Sequence, residues 1–333
     1  MRLNTAYAAV IFCSALLSAC QSISTANYAE KENQRDFTID AAGGNYSVSL
    51  FPKTYSALAG PSFSLVIVSP MLVSDTVLTN SGKNSLIPWF NARGVPVWLV
   101  RVPPGMALEK FGRQVLPTIT AAIRKNSNDA QWVMAGVSLG GQAVAHYLDD
   151  AQKNATVSGM LVKAAFFLGT GFDYAYPGSF SRALVKISGQ NICAVSHRPD
   201  DPAGRSSQQP TADEFCTRYL SAIKSDLVSP RSALFDAAGK PVWREALDNV
   251  SLKDKGVRVM FIAGKIDNVA PSESVYKFFV KTIGGETKNS PDVRFFLAGR
   301  MNRYARDYDH SMMIASDDLA SELLPDVLKW IDL

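Results

Sequence analysis

Apolar positions along the chain follow two alternating rhythms. Continuous apolar runs stand at FSLVIVS (63–69), VPVWLVRV (95–102), WVMA (132–135), MLVKAAFFL (160–168), VRVMFIA (257–263) and VRFFL (293–297), several ending at Gly or Pro. Between many of them lie helix-length segments at 84–93, 106–125, 141–152 and 272–283, and apolar residues return at helical spacing over 317–333. A strand covered on both faces has no polar side to show, so its sequence is apolar throughout instead of alternating. Such strands interleaved with helices predict an α/β fold, a mostly parallel central sheet with helices on both faces. Before this series, β-prone runs at 37–40 and 46–51 flank Ala41-Ala42-Gly43-Gly44 and predict an opening hairpin. The rhythm breaks over about 172–252, where strand-like runs are few and HRPDDPAGRSSQQPTADE (197–214) is polar and proline-bearing. That span reads as an insertion placed over the sheet.

The run at 132–135 leads straight into Gly136-Val137-Ser138-Leu139-Gly140-Gly141 and then into a helix-like stretch from Gln142 to Leu148. A serine on a sharp strand-to-helix turn sits in a strained backbone conformation, and the residues two positions to either side must be small for strand and helix to approach. Gly136 and Gly140 meet that need, and Gly141 adds a further small contact. Spacing and context together resemble the nucleophile elbow of the α/β-hydrolase superfamily, serine esterases and lipases among them. The resemblance covers approximately 63–333 and implies an α/β-hydrolase fold, with the 172–252 insertion as a cap or lid.

A serine needs a base within hydrogen-bond reach, and the base needs an orienting group. There are three histidines. His146 lies on the same expected helix as Ser138, about 12 Å along its axis at 1.5 Å per residue, too far to act as base. His197 belongs to the polar insertion. His310 follows the last expected strand in Asp307-Tyr308-Asp309-His310-Ser311, where the family delivers its histidine, and is the expected base. For the acid, the strand at 257–263 ends in Gly264-Lys265-Ile266-Asp267, which resembles the family's acid loop. Asp267 is preferred, and Asp173, just after the 160–168 strand, is the alternative. Asp309 reads as a loop residue. The family's oxyanion donors map onto the backbone N–H of Leu139 and of the loop after the third strand, Ser69-Pro70-Met71-Leu72. Here the chain departs from the common His-Gly pair. Pro70 has no N–H, so Met71 becomes the second donor. Arg300, Arg303 and Arg306 read as a solvated rim, or as contacts to an anionic head group. Phe166-Phe167 and Phe295-Phe296 read as strand core before pocket lining.

Composition adds bounds. The formal net charge of +4 over 333 residues, without a dense basic cluster interleaved with aromatics, argues against a nucleic-acid partner. No HExxH, CxxC or Gly-rich phosphate loop is present, so neither a metal nor another cofactor has sequence support. The N-terminus is more telling. Arg2, an apolar stretch over 6–17 and Leu17-Ser18-Ala19-Cys20 resemble a bacterial lipoprotein signal, too short to span a bilayer comfortably. That resemblance implies a signal peptide at 1–19, lipidation of Cys20 and a polar tether over 20–36, with Gln21 favouring the outer membrane. The folded domain is then 37–333. Cys13 leaves with the signal and Cys20 carries lipid, so Cys193 and Cys216 are expected to form a disulfide in an oxidising compartment.

Together these resemblances imply a lipid-anchored, extracytoplasmic serine hydrolase acting on a carboxylic ester, with a membrane-proximal lipid ester as the substrate class. An envelope acyltransferase with the same triad and a non-catalytic lipid-anchored binding protein are the alternatives, since a fold does not choose among them.

Overall fold

The computed structural model describes residues 34–53, 62–70, 76–79, 85–127, 131–153, 162–171, 250–253, 256–267, 270–283, 290, 292–310 and 312–332. Strands β1 (Arg35–Ala41), β2 (Gly44–Phe51), β3 (Phe63–Val68), β4 (Val97–Val100), β5 (Gln131–Val137), β6 (Val162–Leu168), β7 (Arg258–Gly264) and β8 (Val293–Ala298) form one sheet in the order β1-β2-β4-β3-β5-β6-β7-β8. β2 runs antiparallel to β4, and the pairs from β4 through β8 are parallel. The hairpin expected at the start is present. Its turn is Ala42-Gly43, both with positive φ (46° and 78°), as a two-residue connection between right-twisted strands demands. β1 starts at Arg35, so the last two residues assigned to the tether belong to the sheet.

Both faces of the sheet are covered, which explains the continuous apolar runs. Val66, Val68, Met134 and Phe261 point to one face and pack with helices Leu116–Asn126, Gly140–Lys153 and Ser272–Thr282. Leu65, Ile67, Val133, Ala135 and Ile262 point to the other, against helices Leu86–Asn91 and Leu323–Asp332. In chain order these helices are α1 (Leu86–Asn91), α2 (Leu116–Asn126), α3 (Gly140–Lys153), α4 (Ser272–Thr282) and α5 (Leu323–Asp332). Phe167 stacks on Phe261 with ring centres 4.9 Å apart, so it is core.

Three further boundaries differ from the sequence reading. The helix expected over 106–125 is a helical turn at Leu108–Lys110, a π-helical stretch at Phe111–Val115 and then α2. Pro117 lies in the first turn of α2 and has no N–H for the carbonyl four residues back, so the wider register absorbs the interruption. The helix expected over 317–333 is likewise divided into a 3-10 turn at Asp317–Ala320 and α5. Pro325 can occupy the first turn of α5, but it cannot continue a helix arriving from Asp317. The insertion was expected to end at about 252. Val250 and Leu252 are instead buried in the core, and the Leu252 N–H donates to the Thr282 carbonyl at 2.9 Å. Residues 172–249 lie outside the described residues, and with them Asp173, His197, Cys193 and Cys216; so do Cys20 and Met71.

The π-helical stretch lies close against α3. A Cβ built on Gly112 would collide with the Ala143 carbonyl oxygen and lie 2.7 Å from His146 Cβ, and a backbone atom cannot swing aside. Arg113, the next residue, ties the two helices by reaching the buried Asp149 at 3.0 Å and Asp150 at 3.2 Å. We expect Gly112→Ala to lower the unfolding free energy by about 2 kcal/mol, the range for overpacking a closed contact. Urea denaturation checks this, and an unchanged midpoint would show the approach to be slack.

Candidate active site

β5 ends at Val137 and α3 begins at Gly140, leaving Ser138 and Leu139 as the turn between them. Ser138 has φ 51°, in the left-handed region that a side chain ordinarily avoids. The turn is held from both sides. Ser138 N–H donates to the Leu168 carbonyl at 2.9 Å, and its own carbonyl accepts from Gly141 N–H at 3.1 Å. The glycines are required by contact. A Cβ on Gly136 would strike Gly141 Cα, one on Gly140 the carbonyl oxygens of Val68 and Ser69, and one on Gly141 the Thr170 side chain.

The parallel sheet brings the carboxyl ends of β5, β6, β7 and β8 to one edge, where crevices form in open α/β sheets. His310 arrives there on the loop after β8, and Asp267 on the loop after β7. His310 Nε2 lies 3.0 Å from Ser138 Oγ, and Nδ1 lies 2.9 Å from Asp267 Oδ2. The Asp267 side chain has no exposed surface, and its second oxygen accepts from Ala270 N–H at 2.8 Å. An ionised carboxylate only accepts. Nδ1 therefore carries the proton toward Asp267, and Nε2 is the lone pair that accepts from the Ser138 hydroxyl. Burial alone pulls the His310 pKa down, but the charge and hydrogen bond of Asp267, with the charge of Asp309, outweigh it and leave it above the ordinary imidazole value.

The structure thus brings together Ser138, Asp267 and His310. His146 is buried on α3, beside Gly112. Asp309, expected to be a loop residue, caps the short helix Met312–Ala315 by accepting from Met312 N–H at 2.8 Å. Of the three arginines in this loop, Arg306 pairs with Asp318. The Leu139 N–H makes no hydrogen bond among the described residues. Ser69 N–H is taken by the Val100 carbonyl at 2.9 Å, so with Pro70 lacking a donor, any N–H that this loop offers the site comes from beyond position 70.

Sequence reasoning missed the loop after β6. Gly169 has φ 58°, and a Cβ there would lie 3.2 Å from both Nδ1 and Cε1 of His310, so the imidazole rests on a bare backbone. Thr170 Oγ1 donates to the Gly136 carbonyl at 3.2 Å, and Gln142 Nε2 donates to the Gly171 carbonyl at 2.7 Å, binding this loop to the Ser138 turn. A Gly-Thr-Gly following a strand was the available signal.

No protein-family model matches the sequence, and no curated protein matches it. Solved structures do. The carboxylesterase CesB (YbfK) from Bacillus subtilis is similar with a TM-score of 0.56 and 12% identity, over 94% of this chain and 97% of that one. A thermophilic esterase from Thermogutta terrifontis gives 0.50 and 12%, over 89% and 99%. An alpha/beta hydrolase fold protein from Chitinophaga pinensis gives 0.51 and 11%, over 88% and 96%. At such identities the likeness concerns architecture, and the architecture is the α/β-hydrolase fold.

Three outcomes follow from this geometry. Gly169→Ala is expected to tilt the imidazole and slow any reaction of Ser138 by about tenfold, more than its effect on stability would explain; rate and melting temperature measured together separate the two. Because only neutral imidazole accepts a proton, reactivity should fall as pH drops through an apparent pKa above the ordinary imidazole value. Asp267→Asn removes the raising charge, so that limb should move to lower pH while the rate falls by about 10⁴-fold. A limb that stays in place would show that Asp267 does not govern His310.

Proposed function

We propose that the chain is a serine hydrolase that cleaves a carboxylic ester through an acyl-serine intermediate. One observation carries this reading: the relay Ser138–His310–Asp267, hydrogen-bonded at 3.0 and 2.9 Å, with the serine on a left-handed turn at the end of a central strand. The likeness to solved esterases supports it at the level of fold.

In this mechanism Ser138 Oγ attacks the ester carbonyl as His310 Nε2 takes its proton. Asp267 holds the imidazole through Nδ1–H and stabilises the imidazolium without taking the proton itself. The oxyanion of the tetrahedral intermediate is met by backbone N–H groups, Leu139 and, we propose, Met71. Collapse breaks the bond to the leaving alcohol, which takes the proton from Nε2 and departs. Water, deprotonated by the same imidazole, then attacks the acyl-serine, and collapse returns the proton to Oγ while the acid leaves. No step calls for a cofactor.

The proposed setting is the bacterial cell envelope, with a lipid on Cys20 holding the enzyme near lipid esters; this rests on the N-terminal residues alone. Its check is incorporation of labelled fatty acid, expected in the full chain and lost in Cys20→Ser.

The activity is tested by intact-mass labelling with a fluorophosphonate. One probe per chain is expected, abolished by Ser138→Ala and reduced by at least about 10³-fold in His310→Ala, with turnover of p-nitrophenyl esters following the same order. A folded protein that takes up no probe would sink the reading.

A further inference from the structure

His310 stands on a loop without apolar periodicity, so its position depends on where that loop is tied. Tyr308, two residues before it, is fully buried among Leu323, Met313 and their neighbours. Its hydroxyl donates to Glu322 Oε2 at 2.7 Å, while Glu322 Oε1 accepts from Ala305 N–H at 2.7 Å. At its other end, the Tyr308 carbonyl accepts from Ile266 N–H at 3.0 Å, and Ile266 directly precedes Asp267. A Cβ on Gly264 would collide with that same carbonyl, so the acid loop is glycine where the two loops meet. One side chain and its own backbone therefore connect the segment before α5, the loop bearing His310 and the loop bearing Asp267.

From this arrangement we infer that Tyr308 and Glu322 are positioning residues that set His310 in register with Asp267. The inference rests on the hydrolase reading above and extends it beyond the three residues of the relay. Neither residue touches reacting atoms. A hydrogen bond from phenol to carboxylate is short and stronger than a neutral pair, and it has a direction that packing alone lacks. Burial first, then the hydrogen bond to Glu322 and its charge, push the Tyr308 phenol well above its ordinary range, so it remains a donor at any pH at which the protein works. A phenylalanine would fill the same space but leave the ring free to settle, and the carbonyl that meets Ile266 would move with it.

A second tyrosine, four residues earlier, supplies the control. Tyr304 donates to Asp326 Oδ2 at 2.7 Å, a bond of the same kind on the same loop, without a backbone link to the acid loop among the described residues. The experiment compares the full chain with Tyr308→Phe, Glu322→Ala, Glu322→Gln and Tyr304→Phe by fluorophosphonate labelling rate and by kcat and KM on a p-nitrophenyl ester. Melting temperature and the His310 imidazole pKa from nitrogen NMR are read on the same samples. Tyr308→Phe and Glu322→Ala are expected to lose about tenfold in labelling rate and kcat, with KM within about twofold, and Glu322→Gln to recover to within about threefold of the starting rate. The imidazole pKa should fall in the first two, as His310 loosens from Asp267. Tyr304→Phe should keep both rate and pKa while losing stability. Equal labelling and an unchanged imidazole pKa in Tyr308→Phe would overturn the inference, as would a loss in Tyr304→Phe matching that in Tyr308→Phe. No labelling of the unsubstituted chain would instead overturn the hydrolase reading, and the positioning role with it.

Discussion

The left-handed turn at Ser138 places a serine hydroxyl at the end of a buried strand, and it exists only because glycines let the surrounding backbone close in. Such a conformation for a residue with a side chain costs about 1–3 kcal/mol and persists where neighbours over-determine it. Here they do. β5 has β3 on one side and β6 on the other, and its residues from Trp132 to Val137 are buried. α3 is pressed from outside by the Gly112 segment and from the turn side by Thr170. The strain is thus carried by the centre of the domain, where the sheet gives least.

The Ser138 hydroxyl is met at that turn by two loops far away in the chain. Asp267 and His310 are 43 residues apart in sequence, and His310 and Ser138 172, yet both bonds are near ideal length. β7 and β8 bring the two loops side by side, and Lys265 N–H donates to the Ala298 carbonyl at 3.0 Å just beyond the last paired residues. A buried carboxylate would be costly if unpaired. Asp267 is held by the imidazole and by Ala270 N–H, so its charge is both tolerated and aimed. Gly169 lies against the ring, and the Tyr308 carbonyl meets Ile266 next to Asp267.

The same requirements explain how the architecture is shared with CesB at 12% identity. What the fold asks of particular positions is modest: small residues where backbones meet, apolar ones on both sheet faces, and loops that end at the right edge. Most other positions need only hydrophobic character and suitable volume.

Strand runs, helix spans and the glycine pattern around Ser138 were legible because each is a local statement, written in periodicity or in spacing over a few residues. His310 after the last strand and Asp267 on a glycine loop were expected from the family resemblance, not from periodicity, and the structure sets both side chains within hydrogen-bond distance of one another. The breaks at Pro117 and Pro325 could have been read from proline chemistry, but continuous apolar spacing masked them. Gly169, Thr170 and Tyr308 were not legible, because their importance lies in what a Cβ would strike or a hydroxyl would reach across long sequence separations. The chain by itself decided which segments are strands and helices, and which serine could sit on a strained turn, since those follow from local sterics and burial patterns. Only the tertiary structure decided the strand order, the meeting of the His310 and Asp267 loops, and the tie through Tyr308 to Glu322. Those depend on hydrogen bonds and close contacts between residues that no periodicity relates.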